Sequence, residues 1–363
     1  MISGYYGAGN AGDEAILAAM LAALRAEIPG AEMVVLSRDP VRTMAEHGVK
    51  AVPRDLGRHF FDLVKLFRRA DLLLSGGGGL LQDSYPPRFL PASVLYYLAV
   101  CLLAKLCGCR VMLYAQGLGP LRRPFARLLL RTILPWMDLI AVRDEVSRDL
   151  LHELGIMRRV HLTADPVLAW RPDSLPNPVR SVLPAEKPYL AVSLRPWPEE
   201  ERWRPVVAGV VERAFRTWGM VPVFLPFARG GDFLVCARVR ACMAEGLPAI
   251  ILPELGPAEL YAAVAGAGMV LGMRLHSLIF AALDRVPAVG LAYDPKVTAF
   301  LSSLGLAELA KPLRSPEEEL WSTLAKTWEK RAEVAARMGS SLPWLAGLAL
   351  ANARLARGLL RED

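Results

Sequence analysis

The chain has 363 residues, 53% of them apolar and 22% charged, which is enough to bury two ordinary cores; a small stapled scaffold and global disorder are both excluded. The 43 Lys and Arg against 36 Asp and Glu leave a net charge of +7, which favours anionic partners. The basic residues are scattered, with no aromatic-interleaved basic stripe and no basic arm, so nucleic acid is not an expected partner.

From Ile2 the chain enters a folded pattern with no secretory leader before it, so a cytoplasmic location is expected. The cysteines, Cys101, Cys107, Cys109, Cys236 and Cys242, are odd in number and spaced for neither a disulfide framework nor a paired zinc site, which fits a reducing compartment.

The first half alternates β-rich apolar runs with helical patterns, in the manner of a parallel sheet buried on both faces. Strands are predicted at Met1–Tyr6, Met33–Ser37, Asp71–Ser75, Arg110–Ala115, Leu139–Val142 and His161–Ala164. Crossover helices are predicted over Asp13–Glu27, Pro91–Leu106, Pro124–Leu134 and Val146–Leu154. Ala92–Cys107 is strongly apolar, but it is shorter than a spanning helix and carries Lys105, so a buried helix is expected.

The proline-rich stretch Arg171–Pro188 lacks apolar periodicity and reads as a linker. A second series of strands follows at Tyr189–Leu194, Val221–Pro226, Ala249–Leu252, Met269–Gly272 and Ala288–Ala292. Ser315-Pro316-Glu317-Glu318 reads as a helix start, with serine capping, proline at the first position and Glu318 reaching back as the capping-box acid. The expected organisation is a parallel-sheet domain at 1–170, a linker at 171–188, a second such domain at 189–314 and C-terminal helices at 315–363.

Ligands of open α/β sheets bind beyond the carboxyl ends of the strands, so the residues that follow each strand carry the chemistry. Gly7-Ala8-Gly9-Asn10-Ala11-Gly12 is a G-x-G-x-x-G between a strand and a helix, with Asp39 after the second strand where a ribose acid would sit. Asp13 and Glu14 follow at once and would repel a phosphate at that helix N-terminus, so a tight turn before a capped helix is the competing reading. The run Gly76, Gly77, Gly78 and Gly79 lets a ligand or a neighbouring segment approach the main chain closely; a flexible loop is the alternative.

Arg274-Leu275-His276-Ser277 follows a strand and opens a helix, placing a guanidinium and an imidazole beside free backbone N–H donors, a good anion site. His276 alone among the five histidines combines a strand end, an adjacent arginine and a helix start; a structural histidine is the alternative. For Arg143-Asp144 the alternative is a helix cap with an ion pair. No H-E-x-x-H or comparable cluster points to a metal, and neither a nucleophile elbow nor a P-loop is present.

Taken in order, GYYGAGNAGDEAIL (Gly4–Leu17), SGGGGLLQD (Ser75–Asp83), YAQGLGP (Tyr114–Pro120), VRD (Val142–Asp144), ADPVL (Ala164–Leu168), RLHSLIFA (Arg274–Ala281) and YDPKV (Tyr293–Val297) resemble the polysaccharide pyruvyltransferase family, most closely its CsaB-like bacterial branch. The resemblance implies a GT-B-like fold, two Rossmann-like parallel-sheet domains facing a central cleft, with a C-terminal helix returning to the first. It also implies transfer of the enolpyruvyl unit of phosphoenolpyruvate to two hydroxyls of a cell-wall polysaccharide precursor sugar, giving a pyruvate ketal and phosphate. In this branch the sugar is typically N-acetylmannosamine, in a secondary cell-wall polymer whose ketal is a ligand for surface-layer proteins. No cofactor beyond the substrate is implied, and a divalent metal is not indicated.

For that reaction His276 is the expected catalytic acid, protonating the methylene carbon of the donor. A helix N-terminus and Arg274 would depress its pKa, whereas bound phosphate and carboxylate would raise it, so a raised value is expected in the complex. Arg143, Arg274 and Leu275 are expected to bind the donor, with Arg195 and Lys296 as secondary contacts. Asn10, Asp13, Glu14 and the four glycines are expected to form the acceptor wall, with Asp13 or Glu14 accepting a hydroxyl proton; helix capping is their alternative role.

A lipid-linked acceptor would bring the protein to the inner face of the membrane. Arg122, Arg123, Arg127 and Arg131, with Phe125, Leu128–Leu130, Ile133 and Trp136, suit an anionic headgroup layer. A crossover helix packed on the sheet is the favoured alternative, because Asp138–Val142 resumes a buried strand directly. Two rival functions share the architecture: a glycosyltransferase using a nucleotide sugar, and a non-catalytic anion- or glycan-binding protein.

Overall fold

The computed structural model describes residues 1–83, 92–172, 183–184 and 188–360. These form two compact units: Met1–Gly9 with Asp13–Arg171 and Trp344–Asp363, and Asn10–Gly12 with Pro172–Pro343. Most of the expected linker, and Pro91 at the expected start of a helix, lie outside the described residues.

The first unit holds strands β1 (Ile2–Ser3), β2 (Val34–Ser37), β3 (Lys50–Pro53), β4 (Leu72–Leu81), β5 (Arg110–Leu118), β6 (Leu139–Val142) and β7 (Val160–Leu162). Its helices are α1 (Ala11–Glu27), α2 (Pro40–His47), α3 (Phe60–Phe67), α4 (Ala92–Leu106), α5 (Pro124–Ile133) and α6 (Glu145–Glu153). All strand pairs are parallel, in the order β3-β2-β1-β4-β5-β6-β7, so the order reverses between β1 and β4.

The second unit holds β8 (Tyr189–Ser193), β9 (Val221–Phe224), β10 (Ile250–Ile251), β11 (Met269–Gly272), β12 (Ala288–Ala292) and β13 (Ala310–Pro312). Its helices are α7 (Glu200–Trp218), α8 (Gly231–Arg240), α9 (Pro257–Ala265), α10 (Leu275–Leu283), α11 (Pro295–Ser303) and α12 (Glu317–Glu329); α13 (Arg331–Leu359) follows and ends in the first unit. This sheet is also parallel, in the order β10-β9-β8-β11-β12-β13, and reverses between β8 and β11.

Every residue of β8 and β11 is buried, as strands covered by helices on both faces must be. One face of the first sheet packs Leu73, Val111, Leu113, Ile140 and Val142 against α3, α4, α5 and α6. Asn352 of α13 accepts from Ala115 N at 3.2 Å and Thr163 Oγ1 at 3.0 Å and donates to Ala164 O at 3.2 Å, tying the end of the chain to β5 and the turn after β7. Among the described residues no helix is long and apolar enough to cross a membrane, and α4 buries Val94, Tyr97, Leu98, Val100, Cys101 and Ala104.

Several elements differ from the sequence expectation. The four glycines form no loop: β4 runs through them, with Gly76 opposite Tyr114 and Gly78 opposite Gln116. Their small size lets neighbours close in. A Cβ on Gly76 would lie 2.3 Å from Tyr114 O, and one on Gly77, at φ +73°, would lie 2.1 Å from Cγ2 of Ile16 on α1.

The expected capping box at Ser315 does not form. Pro316 stands at the cap, α12 starts at Glu317, and the Glu318 carboxylate is taken by Arg213 of α7 at 2.5 Å. Strands β3 and β13 are too short and too polar for periodicity to reveal them. Asn10, expected on the first domain, belongs with the second unit, as does α12, while only Trp344 onward joins the first.

Gly77→Ala is expected to lower stability by about 3 kcal/mol, combining overpacking with left-handed strain. Gly30→Ala, at φ +82° with nothing near its would-be Cβ, should cost only about 1 kcal/mol. Urea denaturation of the two variants tests the comparison.

Candidate active site

The second sheet reverses direction between β8 and β11, and the crevice beyond the carboxyl ends at such a point is the ligand position of open α/β folds. Arg195 follows β8, Arg274 and His276 follow β11, and Tyr293 and Lys296 follow β12, so three adjacent strands deliver them to one edge.

Arg274 caps α10 with extended backbone, and Ser277 Oγ donates back to its carbonyl at 2.6 Å. The helix presses closely on β11, since a Cβ on Gly272 would lie 2.6 Å from Ser277 Oγ. The Arg274 guanidinium is gripped from behind by the carboxylate of Asp232, Nε to Oδ2 at 2.9 Å and Nη2 to Oδ1 at 2.5 Å. Asp232 has no solvent exposure, and its Oδ2 also accepts from Phe227 N at 3.1 Å and Ala228 N at 3.0 Å. One buried acid therefore sets both the arginine fork and the turn after β9.

That turn receives the segment Asn10–Gly12. Ala11 N donates to Phe227 O at 2.8 Å and Asn10 bridges Ala228. Asn10 Oδ1 accepts from Gly12 N at 3.1 Å. Gly12 lies flat against His276: a Cβ there would sit 2.3 Å from Nδ1 of the ring. The imidazole is thus fixed by close contact while the residue keeps intermediate exposure, and Leu275 beside it is buried.

Arg195 is held differently. Its Nη1 donates to Tyr293 Oη at 3.1 Å, and its guanidinium carbon lies 5.3 and 5.0 Å from the ring centres of Trp197 and Tyr293. No carboxylate pairs with it among the described residues, and its Nε is buried without an acceptor there. Lys296 Nζ lies 5.1 Å from the Tyr293 ring centre and 3.5 Å from Asp294 Oδ2. Burial pushes the Tyr293 phenol up and Asp294 adds to that, yet the charges of Lys296, Arg195 and Arg274 outweigh both and hold it below the ordinary value of 10.0.

In the first unit, Arg143 follows β6 and is bound by Asp165 at 2.8 Å, both side chains 5% exposed, with Asp144 Oδ2 3.5 Å from Nε. Asp144 also caps α6 through Ser147 N at 2.8 Å, so cap and ion pair coexist with any ligand role. Gly78 and Gly79 gather with Asp13 and Arg143: would-be Cβ atoms lie 3.2 Å from Asp13 Oδ1 and 4.0 Å from Arg143 Nη2. Gly117 is needed for the arginine, since a Cβ there would lie 2.9 Å from its Nε.

Glu14 turns elsewhere. It is buried, with Oε1 accepting from Gly7 N at 2.9 Å and Oε2 3.1 Å from His47 Nε2. Both of its oxygens thus have protein partners, one of them the backbone N–H of the first glycine of the turn. Gly76 and Gly77 likewise pack against Tyr114 and Ile16.

Glu14, Glu46 and His47 bring potential metal-ligand atoms within 4.8 Å of one another. Arg42 already pairs with Glu46 at 2.5 Å, so the set is explained as an ion-pair cluster.

A model of the polysaccharide pyruvyl transferase family matches residues 10–295. The chain belongs to that family. The amylovoran biosynthesis protein AmsJ of Erwinia amylovora is 22% identical over 288 residues, covering 73% of this chain and 66% of that protein.

Among solved structures, UDP-GlcNAc 2-epimerase from Neisseria meningitidis bound to UDP-GlcNAc superposes with a TM-score of 0.67 at 11% identity over 98% of both chains. The S. aureus MnaA–UDP structure gives 0.66 at 13% identity, covering 96% of this chain and 93% of that one. Anabaena Alr3699/HepE in complex with UDP-glucose gives 0.63 at 12%, covering 99% and 98%. These likenesses establish the GT-B-like fold of this chain.

Two residues escaped the sequence reading of the site. Asp232 sits in an unremarkable Gly230-Gly231-Asp232 helix start, and only its acid type after a strand hinted at a role; Tyr293 was visible in YDPKV but carried no assigned function.

Asp232→Asn places an amide N–H opposite the guanidinium and should cost about 3 kcal/mol by chemical denaturation, in the range for breaking a buried pair. Tyr293 should form phenolate at lower pH than an ordinary tyrosine, read by ultraviolet difference absorbance and abolished in Tyr293→Phe. Since its folded value is depressed, its contribution to stability grows as pH rises from that value towards 10.0 and is complete above it. Lys296→Met should move the phenol transition upward.

Proposed function

We propose that this polysaccharide pyruvyl transferase uses phosphoenolpyruvate as donor and builds a cyclic pyruvate ketal on two hydroxyls of one sugar in a cell-wall polysaccharide precursor. The acceptor we favour is an N-acetylmannosamine unit, as in the CsaB-like branch whose motifs the chain shares. The observation that carries the reading is the convergence of Arg195, Arg274, Lys296 and His276 beyond three adjacent strands of one sheet.

In this reaction the His276 imidazolium gives a proton to the methylene carbon of the donor, and positive charge develops at the adjacent carbon bearing the phosphate ester. One sugar hydroxyl adds there and its proton returns the imidazole to the charged form. The carbon–oxygen bond to phosphate then breaks, the second hydroxyl adds, and its proton leaves with the phosphate. Two carbon–oxygen bonds form, one breaks, and no redox change occurs.

The planar forks of Arg274 and Arg195 suit the carboxylate and phosphate of the donor, and Lys296 adds a point charge. Leu275 positions its two neighbours through the core. In the first unit, Asp13, Gly78, Gly79 and Arg143, clamped by Asp165, are assigned to ligand binding in their own right, as is Asn10 in the second. The protein works in the cytoplasm on a lipid-linked or polymeric glycan precursor, and we propose no metal requirement.

Purified protein given phosphoenolpyruvate and an N-acetylmannosamine glycoside should release inorganic phosphate and add a pyruvate ketal, seen by mass spectrometry of the sugar. His276→Ala should lose roughly 100- to 10,000-fold in turnover while retaining donor binding. Release of nucleoside diphosphate from a sugar nucleotide, with phosphoenolpyruvate inert, would select glycosyl transfer, the second reading suggested by the UDP-glucose complex of the HepE neighbour.

A further inference from the structure

We infer that the outer surface of α5 is a docking face for an anionic phospholipid bilayer. From Leu121 to Met137 the chain carries Arg122, Arg123, Arg127 and Arg131 and no acidic residue. Helix α5 is split lengthwise: Ala126 and Leu130 are fully buried, whereas Phe125 is 49% and Leu128 59% exposed. Trp136, in the short turn that follows, is 59% exposed.

Phe125, Leu128 and Thr132 follow the three-then-four spacing of one helix face, so the exposed apolar groups point one way and the buried ones the other. The buried side is that of a helix packed on the sheet, and the membrane-facing reading rests on the exposed side.

The charges choose the partner. The exposed side chains of Arg122 and Arg131 pair with no carboxylate among the described residues, while Arg127 pairs with Glu153 at 3.1 Å and the buried Asp83 accepts from Arg122 N at 2.7 Å and Arg123 N at 2.9 Å. Guanidinium groups bordering protruding phenyl, isobutyl and indole groups match a surface of phosphate headgroups over acyl chains. Helix α4 separates α5 from α3 in the same layer, and α3 exposes Phe60 and Phe61, at 43% and 77%, near Lys65 and Arg68. Helix α3 also exposes the acid Asp62 beside these rings, so the border of cations without an acid belongs to α5. Such a surface would hold the protein where a lipid-linked acceptor is made, but the inference stands independently of which donor the site uses.

The test is sedimentation of the full chain with vesicles of phosphatidylcholine alone, or of equal parts phosphatidylcholine and phosphatidylglycerol. The protein should partition onto the anionic vesicles, weakly onto the neutral ones, and be released as salt screens the charge. Leu128→Glu combined with Trp136→Glu should abolish binding, and Arg122→Gln with Arg131→Gln should each weaken it about fivefold. All four positions are exposed, and circular dichroism confirms that the variants are folded. Equal binding to both vesicle types, unaltered binding by the double glutamate variant, or a wild-type dimer that this variant splits into monomers would overturn the proposal; the last would assign the face to a second copy.

Discussion

A carboxylate with no access to water needs every lone pair engaged, and in the second unit that demand falls on Asp232. It is met by two backbone N–H groups of the turn after β9 and by two guanidinium nitrogens of Arg274. The turn so fixed receives Ala11 and Asn10, and the next residue, Gly12, lies against the ring of His276. A single desolvated acid therefore fixes an arginine fork directly and an imidazole through three residues of backbone. Ser277 and Gly272 add to this by locking α10 onto β11 at the point where the fork emerges.

Much of the architecture was legible because buried parallel strands announce themselves: MVLG at Met269–Gly272 and AVGLA at Ala288–Ala292 appear in the structure with the boundaries their apolar runs suggest. The position of His276 beyond β11 was legible for a related reason, since a place beyond a strand end needs only the strand to be read. The glycine run does admit close neighbours, Ile16 and Tyr114, as expected, but the continuation of β4 through it was hidden because glycine is depleted from strands on average. Asp232 was hidden because its partner Arg274 lies 42 residues away in sequence. Local helix rules failed at Ser315, where Arg213 from another helix outcompeted the backbone for Glu318.

The two units repeat one device. Arg143 is bound by Asp165 and Arg274 by Asp232, each arginine following a sheet strand and each acid almost fully buried. A guanidinium paired in this way is held in a fixed direction, with little side-chain entropy left to lose when a ligand arrives. Arg195 is built the other way, resting on Trp197 and Tyr293 with a phenolic oxygen as its hydrogen-bond partner. Rings orient it without neutralising it, so it retains its full charge for an anion.

Charge balance then bears on the proposed chemistry. Of the described residues named above, Arg195, Arg274 and Lys296 stand with Asp232 and Asp294, three cations to two carboxylates, a sum of one positive charge with a neutral imidazole and two with a protonated one. The proposed donor, bearing both carboxylate and phosphate, exceeds either sum, so its arrival would favour uptake of a proton, and an imidazole is the group suited to accept one near neutral pH. The same near-balance works in reverse at the end of the reaction. On the proposed reaction, inorganic phosphate would carry less charge than the donor and would meet arginines already partly satisfied by aspartate, so the site should hold it less firmly than the donor. Replacing the two aspartates by neutral groups would tighten anion binding in general, but it would remove this distinction together with the orientation of the fork.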